Sequence, residues 1–292
     1  MAQGLIVSSY GRFFTVEVDG KNYEAVTRGK KTEFVVGDQV VVTVSNQQQA
    51  QIQELVPRQN LVYRSDRNRS KIIASNLQQI IIVIAVKPNF NLGFLNSCLL
   101  SAESSQIEPL IVVNKMDLIE SPEFASNINK LYHNRLGYKI LELSALENCA
   151  DLRPYLEGKR SLLIGQSGMG KSTITNQIYP EAMAKTAEIT KYETSGSHTT
   201  TNASLYHLNT TSDLIDCPGL QEFGLFHLDI QQIAEFFPEM RNILGQCKFS
   251  NCRHLQEPQC VIRAAAENGI IDSSRYAFYQ RLTENLKTKK SY

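Results

Sequence analysis

Long apolar runs are missing from this 292-residue sequence, and none approaches the roughly 20 residues that a membrane-spanning helix needs. Residues 1–7 also lack the basic stretch and the apolar segment of a secretory signal. No low-complexity tract is long enough to indicate extended disorder, and 42% of the residues are hydrophobic. These absences predict a soluble, cytoplasmic, globular protein with no membrane attachment. The chain is longer than one hydrophobic core usually organises, so two or three domains are expected.

Net charge is scarce as well, at a formal +1, which by itself disfavours a strongly basic nucleic-acid-binding protein. The charges are nevertheless unevenly distributed. Residues 1–71 hold 10 Lys or Arg against 7 Asp or Glu, residues 72–239 hold 11 against 18, and residues 240–292 hold 9 against 4. A polyanion would be attracted to both ends and repelled by the middle. Charge alone is equally consistent with an ordinary solvated surface.

Residues 1–71 are predicted to form a small β-barrel and a basic linker, because short strand-like runs alternate with turn signals. Such barrels commonly bind oligonucleotides. Aromatic rings that could stack on bases and a positive charge occur together in one cluster, Tyr10, Arg12, Phe13 and Phe14. One of its two phenylalanines is expected to lie in the barrel core instead. The linker cations either contact phosphate or stay solvated, and they are Arg58, Arg64, Arg67, Arg69 and Lys71.

Residues 72–237 change to near-continuous apolar runs that alternate with helical stretches, namely QIIIVIAV, PLIVVN, KILELSA and SLLIG. Runs of this kind are typical of parallel strands covered on both faces, so an α/β domain is predicted. Residues 238–292 combine cysteines and a histidine with helical segments, and they predict a small appended helical module.

The strongest single motif is GQSGMGKS, which follows the apolar run SLLI and precedes a potential helix. This is the order of a phosphate-binding loop, in which backbone N–H groups and the helix dipole face a phosphate. Lys171 would neutralise β- and γ-phosphate charge, and the Ser172 hydroxyl would bind Mg²⁺. The residues predicted to contact the nucleotide here are Gly165, Gln166, Ser167, Gly168, Met169, Gly170, Lys171, Ser172 and Thr173.

A phosphate loop does not choose the base, and the choice rests on the tetrapeptide NKMD. A carboxylate at Asp117 can accept both N1–H and the exocyclic amine of guanine, a pair of donors that adenine lacks. Lys115 would lay its stem over the purine while Asn114 fixes the loop. A second loop, SA, follows the strand KILEL, and its backbone would meet guanine O6. The predicted base-binding residues are Asn114, Lys115, Met116, Asp117, Ser144 and Ala145.

Two further motifs, DCPG and HTTT, suit recognition of the γ-phosphate. Asp216 would hold Mg²⁺ through water, and the Gly219 N–H would meet the γ-phosphate. Thr199 or Thr200 would close over the metal when GTP is bound, with Thr200 as the predicted magnesium ligand. Each motif would be an ordinary turn or loop if it stood alone.

The residue after DCPG is Leu220, where many GTPases have a water-orienting Gln. Slow intrinsic hydrolysis is therefore predicted. His198 is the best alternative group to position or activate the water, and Gln221 is the next.

The motifs occur in an unusual order, with base-reading, base-supporting, phosphate, switch and DxPG elements at 114, 144, 165, 200 and 216. In an unpermuted GTPase the phosphate loop comes first. Joining old ends and cutting elsewhere preserves a compact sheet when the termini lie close together, so a circular permutation is predicted.

Three sulfurs and one imidazole follow in the spacing C-x4-C-x-H-x5-C, at Cys247, Cys252, His254 and Cys260. Four protein ligands close a zinc coordination sphere, so the predicted Zn²⁺ is structural. Disulfides are disfavoured in a cytosolic chain, and the remaining cysteines are expected to be buried or incidental thiols: Cys98, Cys149 and Cys217.

In combination, these features resemble the bacterial ribosome small-subunit-dependent GTPases, the RsgA or YjeQ family, over nearly the whole chain. The resemblance implies an OB-fold β-barrel in residues 1–71, a circularly permuted P-loop GTPase domain in 72–237 and a zinc-binding helical domain in 238–292. It also implies late maturation of the small (30S) ribosomal subunit, contact with its rRNA, and stimulation of GTP hydrolysis by that subunit. Release after hydrolysis, a catalytic His198 and a monomeric state are expected with it.

Two positions depart from the family pattern: Ser197 stands where relatives usually have Arg, and residues 95–99 read LNSCL where relatives often have an Asp-Arg pair. An RNA-binding assembly or scaffold protein with little turnover is the competing hypothesis, and Leu220 favours it. The intact set of Lys171, Ser172, Asp117 and Asp216 disfavours it. A third hypothesis is an ATPase, or a GTPase with a non-ribosomal partner.

Overall fold

The computed structural model describes residues 1–10, 13–27, 33–65, 70–182, 203–217 and 223–289. Within these ranges the chain forms one 11-stranded sheet, a separate two-stranded hairpin and seven α-helices. None of the described helices combines the length and apolar character that crossing a lipid bilayer demands.

The amino-terminal strands close into a barrel. They are β1 (Ala2–Tyr10), β2 (Phe13–Val18), β3 (Lys21–Thr27), β4 (Gln39–Val44) and β5 (Gln49–Leu55). Their pairing runs β1-β2-β3-β5-β4 and returns to β1, with only β3 and β5 parallel. This five-stranded closure is OB-like, as predicted. Phe14 lies in the barrel core, whereas Phe13 is 52% exposed, so the expectation of one core phenylalanine is confirmed.

The predicted linker is a β-hairpin of β6 (Leu61–Ser65) and β7 (Ser70–Ser75). Arg58, just before it, is neither solvated nor free for phosphate. Its guanidinium donates to both carboxylate oxygens of the buried Asp38 at 2.6 Å. Arg58, one of the basic residues of the predicted linker, thus forms an ion pair within the protein.

The central domain contains six strands in the order β10-β9-β8-β11-β13-β12. All neighbours pair in parallel except β12 and β13. The strands are β8 (Gln79–Ile84), β9 (Glu108–Val113), β10 (Lys139–Glu142), β11 (Arg160–Gly165), β12 (Ser204–His207) and β13 (Asp213–Asp216). The helices around them are α1 (Leu92–Ser104), α2 (Ser121–Ile128), α3 (Arg153–Leu156) and α4 (Lys171–Ile178).

The alternation of side chains along β8 shows why its sequence is apolar throughout. Ile80, Ile82 and Ile84 belong to one core cluster, and Ile81 and Val83 belong to another. Because both faces of the sheet are covered, both sets of side chains are removed from water, as predicted for a buried parallel strand. The antiparallel edge strand β12 was not predicted. It pairs with β1 at Ser8 and Ser204 and so joins the central sheet to the barrel.

The carboxyl-terminal module contains α5 (Pro238–Arg241), α6 (Val261–Glu267) and α7 (Ser273–Lys289). Its apolar residues form no separate core cluster among the described residues. Phe237, Ile262 and Phe278 instead belong to the same cluster as α1 and one face of β8. The module is therefore an extension of the central core.

Candidate nucleotide site and metal centre

The predicted nucleotide motifs meet at one edge of the central sheet. Asn114 follows β9, Ser144 lies two residues beyond β10, and Gly165 and Asp216 end β11 and β13. Because these four strands are parallel, their carboxyl ends point the same way. This edge is where ligands of open α/β sheets bind.

The buried Asn114 side chain joins the base-reading, base-supporting and phosphate loops. Its Nδ2 donates to the Met169 carbonyl at 2.9 Å, and its Oδ1 accepts from the Ala145 N–H at 2.9 Å. This one side chain of the base-reading loop thus contacts two other loops that lie far from it in the sequence. The two hydrogen bonds fix how the three loops are arranged.

The base-reading loop is tied down at each residue. Asp117 Oδ1 accepts from the Ser144 hydroxyl at 2.6 Å, which leaves Oδ2 available for a ligand donor. Lys115 adopts a positive φ of 65° and donates from Nζ to the Lys87 carbonyl at 3.0 Å. The Met116 N–H donates to the Leu143 carbonyl at 3.2 Å, and its side chain packs on the core.

Two glycines of the phosphate loop are required by close approaches. A Cβ on Gly165 would lie 2.5 Å from the Val83 carbonyl oxygen. A Cβ on Gly170 would lie 2.1 Å from Asn114 Nδ2, and Gly170 also has a left-handed φ of 96°. Any larger residue at either position would push the loop off the sheet.

The other loop residues present a mixed surface. Met169 is buried, Ser167 and Gly168 are exposed, and the Gln166 side chain accepts the Asn91 N–H at 3.1 Å. Helix α4 begins directly at Lys171, followed by the exposed Ser172 and the half-buried Thr173. The hydroxyl of Ser172 and the N–H groups at the start of α4 thus lie where a phosphate would approach.

Lys171 is folded back onto its own loop. Its Nζ donates to the carbonyls of Gly165 at 2.8 Å and Gln166 at 3.0 Å, and burial lowers its pKa. The nearby Asp216 charge opposes that shift. The ammonium group is thus held inside the loop by two carbonyl oxygens that a phosphate would replace as partners.

Asp216 lies beside the same helix. Burial raises the pKa of its carboxyl, while a hydrogen bond from Thr175 at 3.0 Å and the Lys171 charge act in the opposite direction. Mg²⁺ prefers oxygen ligands, and a hydroxyl at Ser172 with a carboxylate at Asp216 provides that chemistry. The residues present therefore fit a magnesium ion bound with a nucleotide.

Three predicted site residues lie outside the described residues: His198, Thr200 and Gly219. The same holds for Thr199, Leu220 and Gln221. Their predicted roles in γ-phosphate recognition and hydrolysis stay predictions.

The four predicted zinc ligands converge in the carboxyl-terminal module, with all ligand atoms within 4.8 Å of one another. Cys247 Sγ lies 3.4 Å from His254 Nδ1 and 3.9 Å from Cys260 Sγ, and Cys260 Sγ lies 3.5 Å from the same Nδ1. In a tetrahedral zinc site the ligand atoms stand roughly 3.5 to 3.8 Å apart. The set is compatible with Zn²⁺.

The surroundings of the cluster also suit a metal. Burial lowers the pKa of His254, which favours the neutral imidazole that binds metals. Cys260 Sγ accepts the Arg263 N–H at 3.4 Å, and the Tyr276 hydroxyl donates to the His254 carbonyl at 2.9 Å. The other cysteines, Cys98, Cys149 and Cys217, are buried and unpaired, as expected.

Motif reasoning missed the loop that follows β8. The Lys87 carbonyl holds Lys115, the Lys87 ammonium pairs with Glu120, and Pro88 would touch a side chain at Gly168. This loop therefore contacts both the base and the phosphate loops. Its position at the carboxyl end of a buried strand, before the N-cap Asn91, is the sequence signal that marks it.

The chain matches a known protein family, and it is similar to known proteins in both sequence and structure. A family model described as the RsgA GTPase matches residues 55–226, and one described as the RsgA N-terminal domain matches residues 3–52. Two relatives are each named "Small ribosomal subunit biogenesis GTPase RsgA". The protein of Neisseria meningitidis serogroup B is 45% identical over 282 residues, 96% of this chain and 91% of the relative. That of Nitrosomonas europaea is 46% identical over 287 residues, 97% of this chain and 91% of the relative.

Solved structures agree over the full length. YjeQ from Thermotoga maritima superposes with a TM-score of 0.74 at 28% identity and covers 98% of both chains. YloQ, described as a circularly permuted GTPase, gives a TM-score of 0.71 at 27% identity over 100% of this chain and 97% of its own. Together with the barrel and the Cys/His cluster, these matches confirm the predicted fold class and the permutation.

Proposed function

The chain belongs to the RsgA GTPase family, and from that membership we propose that it hydrolyses GTP on the small (30S) ribosomal subunit during the late maturation of that subunit. The observation that carries the proposal is the Asn114 side chain, which holds the guanine-reading, base-supporting and phosphate loops together. A protein that no longer bound nucleotide would not need these three loops to be held in this arrangement. After hydrolysis the protein leaves the subunit.

In this proposal the protein discriminates guanine through Asp117. Its Oδ2 accepts the guanine donors while Ser144 holds Oδ1, and Lys115 supports the purine face. On the phosphate side, Lys171 exchanges the carbonyls of Gly165 and Gln166 for phosphate oxygens. Such an exchange places a desolvated positive charge where negative charge develops.

A magnesium ion bound with GTP would supply positive charge that neutralises the phosphate oxygens. Ser172, Thr200 and Asp216 would hold it, and the Gly219 N–H would meet the γ-phosphate. His198 is proposed as the catalytic group that orients the attacking water, because Leu220 lacks the amide that does so in many GTPases. Stimulation by the subunit follows if contact with it places His198 beside the attacking water.

The Cys/His cluster is proposed to hold one structural Zn²⁺ through Cys247, Cys252, His254 and Cys260. Since four protein ligands leave no open position, the metal would fix the fold and would not act on substrate. The basic ends of the sequence support contact with rRNA, which is proposed for the barrel and the module. A ribosomal partner places the protein in the cytoplasm, where it is proposed to act as a monomer.

The testing experiment measures GTP turnover with and without purified small ribosomal subunits, with ATP as the competing substrate. We expect hydrolysis of GTP, slow alone and at least tenfold faster with subunits. Turnover that subunits do not change would contradict the ribosomal role, and absence of any turnover would favour a binding scaffold.

The base specificity is tested by Asp117→Asn. An amide can donate to the O2 of xanthine but cannot accept both guanine donors, so GTP binding should fall by roughly 100-fold, in line with loss of buried hydrogen bonds, and XTP binding should rise. Competition binding with GTP, XTP and ATP measures both effects. Glu147→Gln, an exposed change in the neighbouring loop, is the control and should alter neither affinity.

A further inference from the structure

Thr175 makes a contact that no nucleotide motif explains. It is the fifth of the eight residues of α4, with only 2% of its surface exposed, and its hydroxyl donates to Asp216 Oδ2 at 3.0 Å. Asp216 is the last residue of β13, so this bond joins the helix after the phosphate loop to the strand before the DCPG motif.

The direction of this hydrogen bond distinguishes Thr175 from an ordinary helical threonine. Threonine hydroxyls in helices commonly bond back to a carbonyl one turn earlier. Thr283 in α7 does so, donating to the Tyr279 carbonyl at 2.8 Å while equally buried. The Thr175 hydroxyl instead leaves its own helix and contacts a carboxylate.

Helix geometry relates this contact to the magnesium site. Residues three apart on a helix share a face, so Thr175 and Ser172 lie on the same side of α4. The hydrogen bond therefore holds the Asp216 carboxylate against the face that carries the Ser172 hydroxyl. No other hydrogen bond from a described residue is made to this carboxylate, so Oδ1 is left for a ligand.

We propose that Thr175 is a positioning residue for magnesium: its hydroxyl fixes Asp216 Oδ2 and so orients Oδ1 toward the metal beside Ser172. The proposal rests on the proposed function, since it requires a magnesium-nucleotide complex at this edge. Groups that hold a metal ligand in place typically change metal affinity by about 10- to 100-fold when removed. A hydroxyl that only satisfies a buried polar group would affect folding stability and leave metal affinity unchanged.

The test compares Thr175→Val, which keeps the shape, with Thr175→Ser, which keeps the hydroxyl. Mn²⁺ affinity of the GDP complex is measured by electron paramagnetic resonance, and the half-saturating Mg²⁺ concentration is measured for GTP turnover. GDP affinity without metal reports whether the pocket is intact. Thr283→Val is the matched control, because it removes a buried helical hydroxyl with only a local bond.

We expect Thr175→Val to weaken Mn²⁺ binding about tenfold and raise the half-saturating Mg²⁺ by a similar factor. Thr175→Ser should stay within about twofold of the unmodified chain, since the hydroxyl is retained. Wild-type Mn²⁺ affinity in Thr175→Val would overturn the proposal, as would equal losses in Thr175→Ser and Thr175→Val. If Thr175→Val does not fold, Thr175→Ala is measured against the same criteria.

Failure of the part of the proposed function that this inference requires, a guanine-nucleotide site that binds magnesium, gives a different result. In that case the unmodified chain would bind neither GDP nor GDP-dependent Mn²⁺, and the variants would show no difference to compare. A chain that binds both normally but is indifferent to Thr175 would reject the positioning role alone.

Discussion

The two ends of the chain are attached to the central domain in opposite ways. The amino-terminal barrel encloses its own core, formed by residues such as Ile6, Val16 and Ile52. The carboxyl-terminal module shares the central core, and its Arg275 is fully buried between α7 and that domain. Both ends are basic in sequence, but within the described residues only the barrel has a core cluster of its own, so we expect only the barrel to unfold separately from the central domain.

The joints between these ends and the central domain also differ in chemistry. The barrel contributes two buried residues, Val7 and Val36, to the central core cluster. Polar contacts add to them, including Arg160 Nη1 to the Gly37 carbonyl at 3.2 Å.

The module shares a larger part of the central core. Ion pairs also cross this joint, Arg135 with Asp272 and Arg241 with Glu103. Arg275, which pairs with Glu239 inside the module, donates in addition to Asn96 of α1. Because separating a shared core exposes more apolar surface, we expect the module to resist displacement more strongly than the barrel.

Removal of the proposed zinc is expected to cause the largest difference in stability between the barrel and the central domain. Structural zinc contributes on the order of 10 kcal/mol in small metal-binding units, and the module shares its core with the central domain. Chelation, or Cys252→Ser, should therefore lower the unfolding temperature of the central domain while the barrel transition stays in place. Differential scanning calorimetry with zinc quantified by mass spectrometry measures both.

Cys149→Ala is the control for loss of a cysteine, because Cys149 is buried outside the cluster. It should retain one zinc per chain. A barrel transition that moves with the central one after chelation would contradict the claim of two folding units.

Breaking the buried ion pair is the next largest change. Arg275 donates to both Glu239 oxygens, at 2.7 and 3.2 Å, and to Asn96 Oδ1 at 2.9 Å. Arg275→Met leaves an uncompensated buried carboxylate, so the free energy of unfolding should fall by about 3 to 5 kcal/mol. Urea unfolding followed by far-ultraviolet circular dichroism, which reports the helices of the central domain and the module, measures the loss.

The double variant Arg275→Met with Glu239→Gln should recover most of that loss, because no buried charge then stays unpaired. Arg263→Met is the matched control. It removes a more exposed arginine than Arg275, one that pairs with Glu267 on α6 and donates to the Gln256 carbonyl at 3.2 Å, and a change within roughly 0.5 kcal/mol is expected. A single variant no worse than this control would show that the module is not locked by Arg275.

The smallest effect is expected at the barrel joint. Asp38 is buried and accepts hydrogen bonds from the Val35 N–H, from Arg58 and from the Ser75 hydroxyl. Asp38→Ala leaves these donors without their acceptor, at a cost of about 2 kcal/mol. Only the barrel transition should move, and limited proteolysis near residues 56–60 should become faster. Glu54→Gln, an exposed carboxylate on β5, should change neither measurement, and an equal fall of the central transition would contradict the separation.

The motifs located the loops that meet at the candidate nucleotide site, because each motif is local in the sequence. Gly165, Gly170 and Lys171 occur within eight consecutive residues, and the conformation of such a loop depends on glycine placement and on the following helix. The four metal ligands lie within fourteen residues, Cys247 to Cys260, so their convergence also follows from spacing. Roles at His198, Thr200 and Gly219 stay predictions.

Other features were beyond the reach of local patterns. The β6–β7 hairpin was predicted as a linker, because its basic and polar composition hides the pairing of Leu61 with Ser75. The LNSCL segment was noted only as a departure from relatives. Asn96 within it accepts hydrogen bonds from Tyr132 and from Arg275, which lies 179 positions away. A repeating pattern of residues along the sequence cannot predict a contact between residues so far apart.

By itself, then, the sequence determined the chemistry: which base can be read, which loop can hold phosphate, which atoms can bind zinc, and in what permuted order they occur. Composition and spacing are sufficient for these because each depends on side-chain type and nearby backbone. Only the tertiary structure decided which groups hold those residues in place, namely Asn114 between three loops, Thr175 against Asp216 and Arg275 against Glu239. Such partners are selected by the packing of distant elements, and packing is a property of the folded chain as a whole.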